Sequence, residues 1–139
     1  MDKNEPSNNK KPIRGFRDLE VYRESYQAML DVARSILPKL PDSEKFDLKD
    51  QLSRSTKAIP RLIAEGFAKK HQRLGFQKYI DDAMAETNES IVSLEQVKDI
   101  YGIETELCEQ LVIKYDIIAR KLFKLAEAWD NFTNRRRQP

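Results

Sequence analysis

Apolar residues recur at intervals of three and four along most of this chain, the spacing of helices with one buried face, and no stretch alternates residue by residue as a strand would. The first row is Leu19, Tyr22, Tyr26, Met29, Ala33 and Ile36, with Asp18 as the expected N-cap and Pro38 and Pro41 as the stop. The second is Leu48, Leu52, Ser55, Ile59, Leu62 and Ile63, with Asp42 or Ser43 as cap and Glu44 near the positive end. Pro60 falls inside this row; it removes the hydrogen bond to the Thr56 carbonyl, so a kink is expected there. Gly66 offers an end or a bend. The third row is Phe76, Ile80, Ala83, Thr87, Ser90, Leu94, Val97 and Tyr101, closed by Gly102. The fourth and most regular is Leu107, Leu111, Tyr115, Ile118, Leu122, Leu125, Trp129 and Phe132.

Helices of about 20 to 28 residues are each about 30 to 42 Å long. The links between them are short, which forces neighbours to run antiparallel. The expected architecture is all-α: a single-domain, antiparallel, up-down-up-down four-helix bundle over residues 16–132, with a flexible arm at 1–15 and a basic tail at 133–139. Cys108, Val112, Ala119, Phe123 and Ala126 widen the apolar face of the fourth helix. Either that helix is deeply buried within the bundle, or another subunit covers part of it.

At 139 residues the chain supports one core. Its 40% apolar and 35% charged residues suit helices with one greasy and one wet face, and four glycines and six prolines are few for a strand-and-turn protein. No apolar run reaches the roughly 18 residues a membrane span needs, and Met1 to Lys11 lacks the apolar stretch of a secretion signal. With Cys108 as the sole cysteine, no intrachain disulfide forms, and a cytoplasmic location is the default expectation.

The net charge of +2 conceals a segregation. Residues 1–17 carry five basic and two acidic groups, and Arg135, Arg136 and Arg137 add three more cations. From Lys45 to Lys78 there are nine basic and three acidic residues; from Asp81 to Glu109 there are nine acidic residues and one lysine, Lys98. Such a molecule suits either a polyanion or the opposite face of its own copy.

Candidate chemistry is sparse. The only histidine, His71, sits in a basic linker, and Cys108 lies among apolar neighbours, so Cys108 reads as a structural cysteine and no catalytic residue is assigned. Asp82, Glu86 and Glu89 share one side of the third helix, but the Glu-x-x-His pattern of bundle metal sites is missing, as are zinc spacings and phosphate-binding glycine loops; no metal or cofactor is expected. The second helix places Arg54, Lys57 and Arg61 within about 60° of one another, opposite its apolar row. With Lys69, Lys70 and Arg73 beyond them they form a candidate phosphate-binding strip. The competing reading is a solvated, salt-bridged face, because Asp50 precedes Arg54 by four and Glu65 follows Arg61 by four; taken alone, the residues favour it. The aromatic residues fall in the core rows, so no platform for stacking single-stranded bases is expected.

Phe16-Arg17-Asp18-Leu19-Glu20-Val21-Tyr22, Lys45-Phe46-Asp47-Leu48 and Gln51-Leu52-Ser53-Arg54-Ser55 precede a fairly specific signature, Ile59-Pro60 followed by Ile63-Ala64-Glu65-Gly66; Phe76, Tyr79, Ala83 and Glu86 continue the pattern. In these residues the chain resembles the bacterial four-helix-bundle proteins named for 23S rRNA intervening sequences, from about Phe16 to Phe132. The resemblance implies a left-handed bundle, a homopentameric ring, and kinship with the accessory protein of diversity-generating retroelements, which binds nucleic acid and a reverse transcriptase. This chain departs from the usual Ser-Asn between Pro60 and Ile63, having Arg61-Leu62, and lacks the usual Gly-Ser after Ala83. The combined expectation is a non-catalytic homo-oligomer that binds RNA or DNA through Arg54, Lys57, Arg61, Lys69, Lys70 and Arg73, as an accessory to a ribonucleoprotein or reverse-transcriptase complex. The alternative is a homo-oligomeric protein scaffold in which the basic segment pairs with a neighbour's acidic one.

Overall fold

The computed structural model of the chain describes residues 12–72 and 74–137, the last seven of these by backbone alone. Most of the N-terminal arm (residues 1–11), the strip residue Arg73 and the final two residues lie outside the described part. Four helices carry the structure: α1 (Glu20–Asp31), α2 (Leu48–Ala68), α3 (Gly75–Gln96) and α4 (Thr105–Arg137). A wide π turn, Val32–Ile36, and a 3₁₀ turn, Leu37–Lys39, extend α1, and a second π turn, Val97–Tyr101, extends α3. Each helix packs on its neighbour in sequence and α1 also packs on α4, so the four close into a ring around one core. This is the antiparallel four-helix bundle the apolar periodicity calls for.

The second, third and fourth rows are buried much as their spacing predicts. Leu52, Ile59, Ile63, Ile80, Leu94, Ile118 and Leu122 are fully enclosed, as are Phe76 and Tyr115 at the largest sites. In α1, however, the inward face is Val21, Ser25 and Ala28, followed by Val32 and Ile36. The expected row of Tyr22, Tyr26 and Met29 lies beside it: Tyr22 and Met29 are half-buried and Tyr26 is exposed. Ser25 fits the interior because its hydroxyl donates to the Tyr22 carbonyl (3.0 Å), leaving no unpaired polar group.

The helix boundaries also differ from expectation. Asp18 does not cap α1 forward; it ends a 3₁₀ turn (Phe16–Asp18), and its carboxylate accepts the N–H groups of Arg14 (2.8 Å) and Gly15 (3.1 Å) behind it. These two donors hold the Asp18 carboxyl below the usual carboxylate range. α2 starts after a separate 3₁₀ turn (Asp42–Glu44), and Glu44 reaches forward to accept the Leu48 N–H (3.2 Å). Burial of the apolar row begins only at Leu48, and Phe46 before it faces solvent. Pro60 sits inside α2 without ending it. The fourth helix runs on to Arg137, through residues read from the sequence as a tail.

Gly66 is neither an end nor a bend. It lies within α2, where a Cβ added to it would meet the Tyr79 Cβ of α3 at 3.0 Å. The missing side chain lets the two helices approach, and the small residues Ala83, Thr87 and Ser90 continue the close contact along α3. The Ser90 and Ser55 hydroxyls hydrogen-bond across the interface (2.8 Å), each also within reach of a carbonyl on its own helix. Gly66→Val is expected to cost about 2 kcal/mol through overpacking, read as a lower urea midpoint at unchanged slope. At the end of α3, Gly102 adopts φ +61°, the left-handed conformation that lets the chain turn into α4.

Ion pairs tie α1 to α4. Lys114 reaches Glu24 (3.0 Å), and Lys121 reaches both Glu24 (2.9 Å) and Glu20. Burial alone would raise the Glu24 carboxyl, but the two lysines outweigh it and hold Glu24 below its ordinary value. Within the core, the Tyr115 hydroxyl is buried with no hydrogen-bond partner among the described residues, and burial pushes its phenol upward. Tyr115→Phe removes an unsatisfied donor at almost unchanged volume; a gain of about 1 kcal/mol in thermal or urea unfolding is expected.

Candidate nucleic-acid interface

The second helix positions the candidate strip. Its buried row occupies one face, so Arg54, Lys57 and Arg61 are carried to the opposite, exposed face. The structure separates the three. Arg54 donates to Asp50 (3.0 Å) and lies near Glu86 of α3, so carboxylates already compensate its charge. Lys57 and Arg61 make no ion pair among the described residues; the pairing of Arg61 with Glu65 that the spacing allows is not formed. Lys69 and Lys70 lie beyond the helix end, about 18 Å along the axis from Lys57. Lys70 rests over the Phe67 ring (4.2 Å) and Lys69 near the Tyr79 ring (5.7 Å), each with its head group exposed.

Sequence reasoning missed the other half of this surface. A groove of about 330 Å³ runs between α1 and α2, with Lys57 and Arg61 on one wall and Phe16, Tyr22 and Tyr26 on the other. It continues across Tyr22 and Tyr26 into a shallow recess of about 380 Å³ lined by Arg17 and Arg23. Among the described residues, no carboxylate lines either. Phe16 meets Tyr22 edge-on (centroids 4.8 Å apart), and Tyr22 lies 5.9 Å from Tyr26. Arg17 stacks on Phe16 (4.5 Å), and Arg23 donates to the Arg17 carbonyl (2.8 Å), fixing both guanidinium groups beside the rings. The available signal was the second row within the first helix, Val21, Ser25, Ala28, Val32 and Ile36, which has the same spacing but smaller side chains.

Acidic groups gather elsewhere. On the flank of α3, Glu86 is half-buried next to Glu89 and Asp82; burial, then the Glu89 carboxyl bonded to it, push Glu86 up to about 7 against the pull of Arg54. The unfolded chain ionises this group near 4.5, so the native state holds the extra proton between about pH 4.5 and 7 and loses stability as pH rises through that window. Glu86→Gln is therefore expected to match the parent near pH 4 and exceed it above pH 7. The gain, screened by solvent, is on the order of 1 kcal/mol, read from melting curves across pH.

The remaining candidates are dispersed. Cys108 is buried at the start of α4, where burial and then Glu104 push its thiol upward. His71 is exposed at the other end of the bundle, separated from it by the length of α3, roughly 33 Å. Among the described residues, no group of histidine, cysteine and carboxylate side chains is arranged to hold a metal ion. No helix among them is long and apolar enough to cross a membrane.

The sequence profile of the 23S rRNA-intervening sequence proteins matches residues 17–124, which include all of α1 to α3 and most of α4. The chain belongs to the 23S rRNA-intervening sequence protein family. No curated protein matches it. The matched span contains Tyr22, Tyr26, Met29, Lys57, Pro60, Arg61 and Ala64, so all of the described groove lining except Phe16 falls within the family domain.

Proposed function

We propose that this protein is a non-catalytic, homo-oligomeric bundle that binds RNA or DNA through its basic surface, as an accessory to a ribonucleoprotein or reverse-transcriptase complex. Lys57 and Arg61 form the centre of that surface, with Arg54 on one side and Lys69 and Lys70 on the other; the sequence adds Arg73, which lies outside the described residues. The observation that carries the reading is a pair of exposed cations, without an ion pair among the described residues, on a groove that no described carboxylate lines. The Arg61–Glu65 pairing open to a salt-bridged face is not formed among the described residues. Phosphates are the ligand that two exposed cations one helical turn apart suit best, and the family's name points to an RNA context.

A fluorescence-anisotropy titration with labelled RNA and DNA at about 50 mM salt tests the reading. Saturable binding to at least one of them is expected; a flat titration for both removes the proposal.

Assembly into a homopentameric ring is the companion proposal. Val92, Ile113 and Phe123, on α3 and α4, are each more than half exposed (52%, 62% and 58%), on the side of the bundle away from the groove. Large apolar residues exposed on α3 and α4 suit a subunit contact, which is the part of the scaffold reading they support. Sedimentation velocity is expected to show one species of about five chains. A monomer at micromolar concentration would contradict it.

A further inference from the structure

α1 inverts the usual distribution of side chains. It buries Ser25 (0% exposed) and Ala28 (2%) while leaving Tyr26 44% exposed and Tyr22 half-buried beside it. Large rings contribute most to stability when enclosed, so the helix has placed its bulkiest groups where they contribute least to the core. They are arranged there, not scattered: Phe16, Tyr22 and Tyr26 follow one another along the groove at centroid separations of 4.8 and 5.9 Å. Met29 of α1 and Pro60 and Ala64 of α2 complete the apolar lining.

Cations frame these rings on both sides: Arg17 and Arg23 on the α1 side, and Lys57 and Arg61 on the α2 side. Lys57 and Arg61 are about 6 Å apart along the helix axis, comparable with one nucleotide step of an extended strand. The volume of about 330 Å³ lies within the range of ligand clefts, roughly 300 to 1,000 Å³. Aromatic faces between rows of phosphate-binding cations are the recurring design of surfaces that hold single strands, because every unpaired base has a π face to stack and every step has a phosphate to neutralise. A duplex offers the phosphates but keeps its bases stacked on one another.

We infer that the α1–α2 groove is a single-strand site in which unpaired bases stack on Tyr26 and Tyr22 while Lys57 and Arg61 hold the adjoining phosphates. The inference rests on the nucleic-acid reading above and adds the class of ligand: unpaired RNA or DNA rather than duplex. A second copy of the chain is the rival occupant. Aromatic faces between cations, with no carboxylate among the described lining residues, suit a strand that brings both bases and phosphates; in a ring, whose contacts join unlike faces, the acidic flank of α3 is what a copy would offer instead.

The test compares a short oligothymidylate with a hairpin duplex of equal phosphate number, using the full chain, its Tyr26→Ala and Tyr26→Trp variants, and a Lys57→Glu control. Circular dichroism confirms the fold of each. Tyr26→Ala is expected to weaken single-strand binding about tenfold and change duplex binding less than about twofold, with Tyr26→Trp restoring it. Lys57→Glu weakens both ligands. Equal losses on both ligands with Tyr26→Ala, or no loss, would overturn the stacking site while the Lys57→Glu effect still upholds the basic surface. A change in subunit number with unaltered affinity would assign the groove to a second copy and overturn the inference. If the parent binds neither ligand, the underlying nucleic-acid proposal falls with it.

Discussion

The Lys57→Glu/Arg61→Glu double variant is expected to bind RNA or DNA roughly a hundredfold more weakly than the parent in about 0.1 M salt. Each phosphate contact on a single strand contributes about 0.7 to the slope of log affinity against log salt, which near 0.1 M amounts to about fivefold. Losing two contacts gives roughly 25-fold, and replacing each cation by an anion adds repulsion. Both side chains are exposed and make no ion pair among the described residues, so the variant keeps its fold. That separates these positions from Arg54, whose reversal would also disturb Asp50 and Glu86. Anisotropy titrations of parent and variant, with sedimentation velocity alongside, check the prediction. If the variant falls apart into monomers and the parent never bound nucleic acid, the charges serve subunit contacts instead.

Phe76→Ala is expected to have the largest effect on stability, about 3 to 5 kcal/mol. Phe76 is almost fully enclosed at the start of α3, with its ring centroid 4.8 Å from that of Trp129 on α4. It also lies against the Gly66 crossing, since its carbonyl is 3.7 Å from where a Gly66 Cβ would stand. Truncation therefore leaves a cavity where α2, α3 and α4 meet, with little freedom for the helices to collapse into it. Natural domains have roughly 5 to 15 kcal/mol of stability in total, so this single change removes a large share. Urea unfolding followed by emission of Trp129, the one tryptophan, reads it directly. A loss below about 1 kcal/mol would mean that the α2–α3–α4 junction is not packed as described.

Much of this architecture is visible in the residue pattern, and the exceptions have identifiable causes. The rows of α3 and α4 match the buried faces because they are long, uninterrupted and made of large side chains. The α1 row holds at its ends, where Leu19 and Ile36 are buried, but is displaced by one position between them because periodicity weighs bulk: Tyr22 and Tyr26 outweigh Ser25 and Ala28, although the small pair is the one that fits between α1 and its neighbours. That single displacement hid the groove, since rings assigned to the core cannot form a surface. The N-terminus of α2 was placed too early because Asp42 and Ser43 look like caps, whereas burial, and so the helix, begins only at Leu48. Gly66 carried a correct signal with the wrong meaning, because a glycine that admits a neighbouring helix and one that ends a helix look the same along the chain. For the broad apolar face of α4, the structure divides the alternatives: Cys108 and Ala126 are enclosed by the bundle itself, while Phe123 faces outward.

Charge was legible as composition but not as function. The excess of cations from Lys45 to Lys78 gave the sign of the surface, yet which of them are free depends on distances that spacing does not determine. Asp50–Arg54 and Arg61–Glu65 share the same interval of four, and only the first closes into an ion pair.

The most direct test of the central claim is the salt dependence of binding by the unmodified protein. Affinity for a single-stranded oligonucleotide, measured from about 50 to 300 mM salt, is expected to fall with a log–log slope of about −2 or steeper, as release of counterions from at least three phosphates requires. A slope near zero would show that Lys57, Arg61 and their neighbours do not engage phosphates, and the basic groove would lose its assigned role.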